Sequence, residues 1–240
     1  MQLDVTLTPR ELDRLDRHGH TVAVIDVVRA STTMVQGLAA GAMAFIPVPS
    51  VAAARRTAKS LGHDKVLLGG ERGGVAVSGF NLGNSPLEYT PERVSGQTIV
   101  FTTTNGTAAI AAARSAQSII IAAFVNLDAV VAYLQTAGTD VTIAAAGRLG
   151  RPALDDTICA GLIVNQLLEG GPWTPTDTAL LARQSANDQA TQIRELLSQA
   201  ASGQALKRLA LEADLDFCAQ LNLYNLVPRV EEGRVVISVP

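Results

Sequence analysis

Short apolar runs alternate with helical stretches from Leu3 to about residue 169, at the spacing of βαβ units. The runs at 3–7, 22–27, 44–48, 65–68, 98–102, 118–122 and 141–145 predict strands. Most are continuously apolar rather than alternating, as strands covered on both faces are. The expected fold is α/β, a three-layer α/β/α arrangement with a mostly parallel sheet. Helix starts are marked as well. Thr8-Pro9-Arg10-Glu11 reads as a capping box with proline in the first turn, and Ser50 and Asn126 read as N-caps of Ala-rich stretches. Between about Gly69 and Pro91 the periodicity lapses into a glycine-rich connection, long enough to be functional. After Gly170-Gly171-Pro172 the pattern becomes helical, at 177–184, 189–199, 205–211 and 215–221, and ends in strand-like runs at 226–230 and 234–239. The division this suggests is an α/β core with the active site at 1–171, and a helical appendage at 172–240 that returns to the core with C-terminal strands. Two strand-to-helix junctions, 24–33 and 99–107, look alike and hint at an internal duplication.

Composition narrows the function. With 240 residues, 48% hydrophobic and 17% charged, and a net charge of −3, the chain has a large core and too little self-repulsion for disorder. No uncharged apolar stretch approaches the ~18 residues of a membrane span. The amino terminus carries Asp4 and no apolar signal region, so a cytoplasmic location is expected. Cys159 and Cys218 are far apart and suit neither a zinc ribbon nor a disulfide framework. A balance of 19 Lys and Arg against 22 Asp and Glu, with few aromatics, gives no nucleic-acid footprint. The three histidines, His18, His20 and His63, fall in polar connecting stretches, so any metal chemistry must rest on carboxylates. P-loop, dinucleotide-binding and serine-hydrolase elbow motifs are all absent.

In an open parallel sheet, ligands bind beyond the carboxyl ends of the strands. Reading each predicted strand to its end brings Asp26, Arg29, Glu71, Arg72, Thr103, Thr104, Asn105 and Arg148 to one rim, with Asp155 and Asp156 opening a helix at the same edge. Asp26 closes an apolar strand, where an ionised carboxylate needs a partner: a hard cation such as Mg²⁺, or a salt bridge to Arg29. Arg29-Ala30-Ser31-Thr32-Thr33 and Thr102-Thr103-Thr104-Asn105-Gly106-Thr107 read as two anion cradles of hydroxyls and backbone N–H groups, or as ordinary helix caps. Glu71-Arg72 pairs a metal-ligand candidate with a guanidinium suited to oxyanions, or forms an exposed ion pair. Arg148 is placed to clamp a second anion. Asp155 and Asp156 are either ligands beside Asp26 or first-turn acids of their helix.

These segments together resemble the 2-phosphosulfolactate phosphatase family. The match includes 24–33, Gly70-Glu71-Arg72, the run 79–86 (Gly-Phe-Asn-Leu-Gly-Asn-Ser-Pro), 102–107, Gly147-Arg148, 154–161 (Leu-Asp-Asp-Thr-Ile-Cys-Ala-Gly), Asp216-Phe217-Cys218 and Val227-Pro228, in one order. The resemblance implies a Mg²⁺-dependent phosphatase that converts 2-phospho-3-sulfolactate to 3-sulfolactate and phosphate, a step in coenzyme M biosynthesis. Asp155 stands where the family pattern has Glu, and Asn81 where it has Asp. The expected metal ligands are therefore Asp26, Glu71 and Asp156. Arg29 joins these three as a catalytic group, and Ser31, Thr32, Thr103, Thr104, Asn105, Gly106 and Thr107 surround the phosphate. Arg72 or Arg148 takes the sulfonate or carboxylate. Direct attack by water and a covalent aspartyl-phosphate on Asp26 both need a carboxylate there. The alternatives are a phosphatase for another small acidic phosphoester and a non-catalytic binder of phosphorylated or sulfonated acids. The expected partner is a small phosphorylated acid, with neither nucleic acid nor membrane, and a homodimer is the default oligomer.

Overall fold

The structure is a computed structural model and describes residues 1–62, 65–186 and 192–237. His63 and part of the expected helix at 189–199 lie outside the described residues, as does the end of the last expected strand. The described strands are Gln2–Thr6 (β1), His20–Ile25 (β2), Ala44–Pro47 (β3), Val66–Arg72 (β4), Val75–Ala76 (β5), Thr98–Thr102 (β6), Ser118–Ala122 (β7), Asp140–Ala145 (β8), Thr174–Pro175 (β9), Pro228–Glu231 (β10) and Arg234–Ile237 (β11). They form one sheet in the order β5-β4-β6-β3-β11-β10-β7-β2-β8-β1-β9. β2 runs parallel to both β7 and β8, and β6 parallel to both β3 and β4. The C-terminal hairpin β10–β11 lies antiparallel between them, β11 on β3 and β10 on β7. The sheet is thus two half-sheets, parallel apart from the short edge strand β5, joined by the last two strands.

The helices are Pro9–Leu12 (α1), Ala30–Ala39 (α2), Val51–Leu61 (α3), Pro91–Val94 (α4), Gly106–Ala112 (α5), Leu127–Thr136 (α6), Leu154–Gly170 (α7), Asp177–Ala186 (α8), Ile193–Gln199 (α9), Ala201–Arg208 (α10) and Glu212–Cys218 (α11). Alternate β2 residues face opposite layers, which is why its run has no polar gap. Ala23 and Ile25 pack in one buried cluster with Val130 and Leu134 of α6 and Ile163 and Leu167 of α7. Val22 and Val24 pack in the other with Met34 and Val35 of α2 and Ala109 and Ile110 of α5. The fold is therefore the expected three-layer α/β/α. Among the described residues no helix is long and apolar enough to cross a membrane.

Several local expectations need correction. The glycine-rich segment opens as strand: β4 continues through Gly69 and Gly70 to Arg72 and turns at Gly73-Gly74 into β5. Glycine has no side chain to carry a period, so the pattern hid this strand. Thr8 does accept the Glu11 N–H, but Glu11 reaches back to Leu7 N–H rather than to that of Thr8. Asn126 precedes α6 without capping it. Its buried amide accepts from Ala123 N–H and donates to the Ile121 and Leu226 carbonyls, tying β7 to the C-terminal segment. His20 begins β2 rather than lying in a connection. The last two helices begin three or four residues earlier than predicted, at Ala201 and Glu212.

Candidate active site

A pocket opens over the carboxyl ends of β2, β4, β6 and β8, with Ser202, Ala205 and Leu206 of α10 in its wall. Asp26, Arg29, Glu71, Asn84, Thr104, Asn105, Arg148 and Ser202 line it. It lies across the seam between the half-sheets, with Asp26 following β2 on one side and Thr104 following β6 on the other. The two look-alike junctions meet here. A Cβ on Gly106 would lie 2.6 Å from Ala30 Cβ and 2.7 Å from Asp26 Oδ2, so the start of α5 can approach Asp26 only without a side chain. Gly106→Ala is accordingly expected to push Asp26 aside and lower kcat/KM by about a hundredfold, as sub-ångström displacement of reacting groups does. Steady-state kinetics on the folded variant checks it.

The site is assembled largely by satisfying its own backbone. Asp26 is 7% exposed. Its Oδ1 accepts Ala30 N–H at 3.2 Å, so the protein's own carboxylate occupies the amino end of α2. Ser31 Oγ accepts Asp26 N–H and donates to the Val24 carbonyl, and Thr32 Oγ1 donates to the Val27 carbonyl. Both hydroxyls are fully buried in the turn, not presented as a cradle. The second junction behaves likewise. Thr103 Oγ1 accepts Thr107 N–H, and Thr107 Oγ1 donates to the Thr103 carbonyl. These two residues border a neighbouring groove with Arg10 and Arg114, while Thr104 lines both groove and pocket.

Of the three expected ligands, Glu71 and Asp156 have both oxygens committed. Glu71 accepts Gly74 N–H and Thr104 N–H, each at 2.7 Å, clasping the β4–β5 turn to the end of β6. Gly70, at φ 136° and packed where a Cβ would strike the Thr102 carbonyl, lets β4 come close enough for this. Asp156 accepts Val27 N–H at 2.9 Å and Gly147 N–H at 3.0 Å, joining the ends of β2 and β8. Among the described residues no three acids, histidines or cysteines are arranged to hold a metal ion together. At Glu71 and Asp156, two of the three expected ligands, backbone N–H groups at strand ends share the oxygens a cation would use. Arg72 is also turned aside, donating to its neighbour's carbonyl and to Thr102 Oγ1.

Other oxygens remain uncommitted. No hydrogen bond among the described residues reaches Asp26 Oδ2. Asp155 accepts from Ser202 Oγ through Oδ2, but its buried Oδ1 has no partner, and neither has the buried Oδ1 of Asn84. Burial, then the nearby charges of Asp155 and Glu71, push the Asp26 carboxyl up to about 7 against the lowering by Ala30 N–H and Arg29. Burial likewise raises Asp155 and Asp156. Crowded carboxylates with unpaired oxygens are the electrostatic setting a divalent cation relieves. Oxygen donors of this kind suit a hard cation such as Mg²⁺, and Asp26 and Asp155 are the two acids that would hold it.

The cationic side is Arg29 and Arg148. Arg29 is 4% exposed and donates from Nη1 to Asp214 Oδ2 at 2.6 Å and from Nη2 to the Gly74 carbonyl at 2.7 Å. The salt bridge expected between Asp26 and Arg29 is not the one formed. Arg148 follows β8 and is half-buried at the rim beside the exposed Leu149, whose N–H donates to Asn105 Oδ1. Sequence reading missed Asn84, Ser202 and Asp214. Asn84 lay inside the 79–86 segment without drawing notice, Asp214 lay two residues before one that did, and Ser202 carried no signal.

The family model described as 2-phosphosulpholactate phosphatase matches residues 6–233. A probable 2-phosphosulfolactate phosphatase of Symbiobacterium thermophilum is 41% identical over 91% of this chain and 94% of its own length. Its counterpart in Carboxydothermus hydrogenoformans is 38% identical over 99% and 98%. One in Thermotoga maritima is 40% identical over 91% and 92%.

Proposed function

The chain belongs to the 2-phosphosulfolactate phosphatase family and is a phosphoric monoester hydrolase, and from that premise we propose that it hydrolyses 2-phospho-3-sulfolactate to 3-sulfolactate and phosphate with Mg²⁺ bound. The observation that carries the reading is the meeting of Asp26 with Arg29 and Arg148 around one pocket, with an unpaired buried oxygen on Asn84 in its wall and another on Asp155, which the pocket-lining Ser202 holds. A small ester with three acidic groups needs cations, and a pocket of carboxylates alone would repel it.

In this reading Asp26 and Asp155 hold the ion, which supplies charge neutralisation at the phosphate oxygens. Arg29, already fixed at two N–H groups, presents the rest of its guanidinium to the transferring phosphoryl group and stabilises charge there. Thr104 and Asn105 border the same space and orient the ester. Arg148 takes the carboxylate or sulfonate, since Arg72 is spent on Thr102. α10 covers the pocket with Ser202 and Leu206 and limits water to the attacking molecule. Water's oxygen forms the new P–O bond as the ester P–O bond breaks, and one water proton ends on the departing 2-oxygen while the other stays on the released phosphate.

The test is phosphate release from a panel of phosphorylated hydroxyacids, with Mg²⁺ and with chelator. The expected result is Mg²⁺-dependent turnover with 2-phospho-3-sulfolactate preferred over 2-phospholactate, and Arg148→Ala narrowing that preference. Binding of the panel without turnover at any Mg²⁺ concentration supports a non-catalytic binder instead.

A further inference from the structure

Asp214 lies 185 residues from Arg29 in the chain, on α11 of the C-terminal helical region. Its carboxylate is 2% exposed and fully committed: Oδ2 accepts Arg29 Nη1 at 2.6 Å and Oδ1 accepts Ser85 Oγ at 2.5 Å. Ser85 follows Asn84, whose carbonyl accepts the Thr33 hydroxyl of α2. Arg29 itself is gripped from the far side by the Gly74 carbonyl at the β4–β5 turn. The guanidinium is therefore held between two elements, neither of which is its own helix, and still borders the pocket.

Burying both members of an ion pair costs much of what their attraction returns, so such a pair is weak evidence for stability. Its geometric effect is definite. An arginine with several rotatable bonds is confined to one orientation when anchored at two N–H groups, here at the pocket wall. Of the other charged groups at the site, only Asp155 is, among the described residues, also held from the C-terminal helical region, by the Ser202 hydroxyl. Glu71 is clasped by backbone of its own sheet layer, and Arg148 has no ion-pair partner among the described residues.

We propose that Asp214 is the positioning residue for Arg29, so that the C-terminal helical region sets the phosphate affinity of a pocket built by the α/β core. This rests on the phosphatase reading above, in which Arg29 meets the phosphoryl group. Asp214 touches no substrate in this scheme and acts only through Arg29.

The test is a double-mutant cycle on the full-length protein, reading the Kd of inorganic phosphate by calorimetric titration with Mg²⁺ present, alongside kcat and KM. Arg29→Ala and Asp214→Ala are each expected to weaken phosphate by about tenfold or more, and the double variant no further than Arg29→Ala alone. A residue of purely structural importance would reduce the folded fraction and leave the Kd of what remains unchanged. Should Asp214→Ala fail to fold, Asp214→Leu, which fills the space but offers Arg29 no acceptor, enters the cycle with the same equality as criterion. Additive losses in the double variant, or a wild-type Kd in a folded Asp214 variant, overturn the positioning role and leave the phosphatase reading standing. Failure of the wild type to bind phosphate at all overturns both.

Discussion

Asp26→Asn is expected to lower kcat for phosphate release by about a thousandfold or more while leaving the fold intact. The substitution is isosteric. Its amide oxygen can still accept Ala30 N–H, the bond that seats the side chain at the start of α2. What is lost is the charge on a pocket-lining carboxylate whose Oδ2 has no hydrogen-bond partner among the described residues. Removing a charge that sits buried with Asp155 and Glu71 also relieves repulsion, so thermal stability of the metal-free variant should hold or rise as activity falls. Phosphate-release kinetics and a thermal melt on one preparation check both halves. Near-normal Mg²⁺-dependent turnover in the variant removes Asp26 from the mechanism.

The second large effect is a pH dependence of stability with a sign opposite to that of most carboxylates. In the unfolded chain Asp26 loses its proton near the ordinary value of 3.8, and in the folded protein near 7. Between those values the native state holds more protons, so stability declines as pH rises from about 4 to about 7 and levels off above. The full excursion for Asp26 alone is on the order of 4 kcal/mol, at 1.36 kcal/mol per unit. Burial shifts Asp155 and Asp156 in the same direction. With chelator present, the melting temperature should fall between pH 5 and pH 8. Mg²⁺ should restore it at pH 8 much more than at pH 5, where protons compete for the same oxygens. Asp26→Asn should flatten the chelated profile. A metal-free melting temperature that climbs across this range would falsify the crowding of these acids.

The layers of the fold were legible because β2, β6 and β7 are buried on both faces and carry unbroken apolar runs, and β8 is broken only by Thr142, with helical stretches between them. β4 was legible only to Leu68, since Gly69 and Gly70 carry no pattern. The position of β10–β11 was not legible, because a hairpin's own sequence does not say which strands it will pair with. At the site, the rule that strands deliver ligands at their carboxyl ends found Asp26, Arg29, Glu71, Thr104, Asn105 and Arg148, all of which border one pocket. Roles were harder. Which acid is free and which is a backbone acceptor depends on N–H groups distant in sequence, as with Asp156 on Val27 and Gly147. A departure from the family pattern drew attention away from Asp155, yet Asp155 keeps the unpaired oxygen. Asp214 illustrates the converse: in sequence it looks like any other acid of a helix, while its neighbour Asp216, which stood in the resembling motif, pairs with Arg194 at the surface.

The hairpin at the seam bears on how the protein is made. Every strand of both half-sheets leaves the ribosome before Pro228–Glu231 and Arg234–Ile237, the pair that laces them together. Each half can order during translation, as successive segments of a nascent chain do. Asp26 and Arg148 belong to one half, Glu71 and Thr104 to the other, so their common pocket is completed only when the carboxyl-terminal strands are free to dock. The pocket therefore depends on strands made after every residue that lines it.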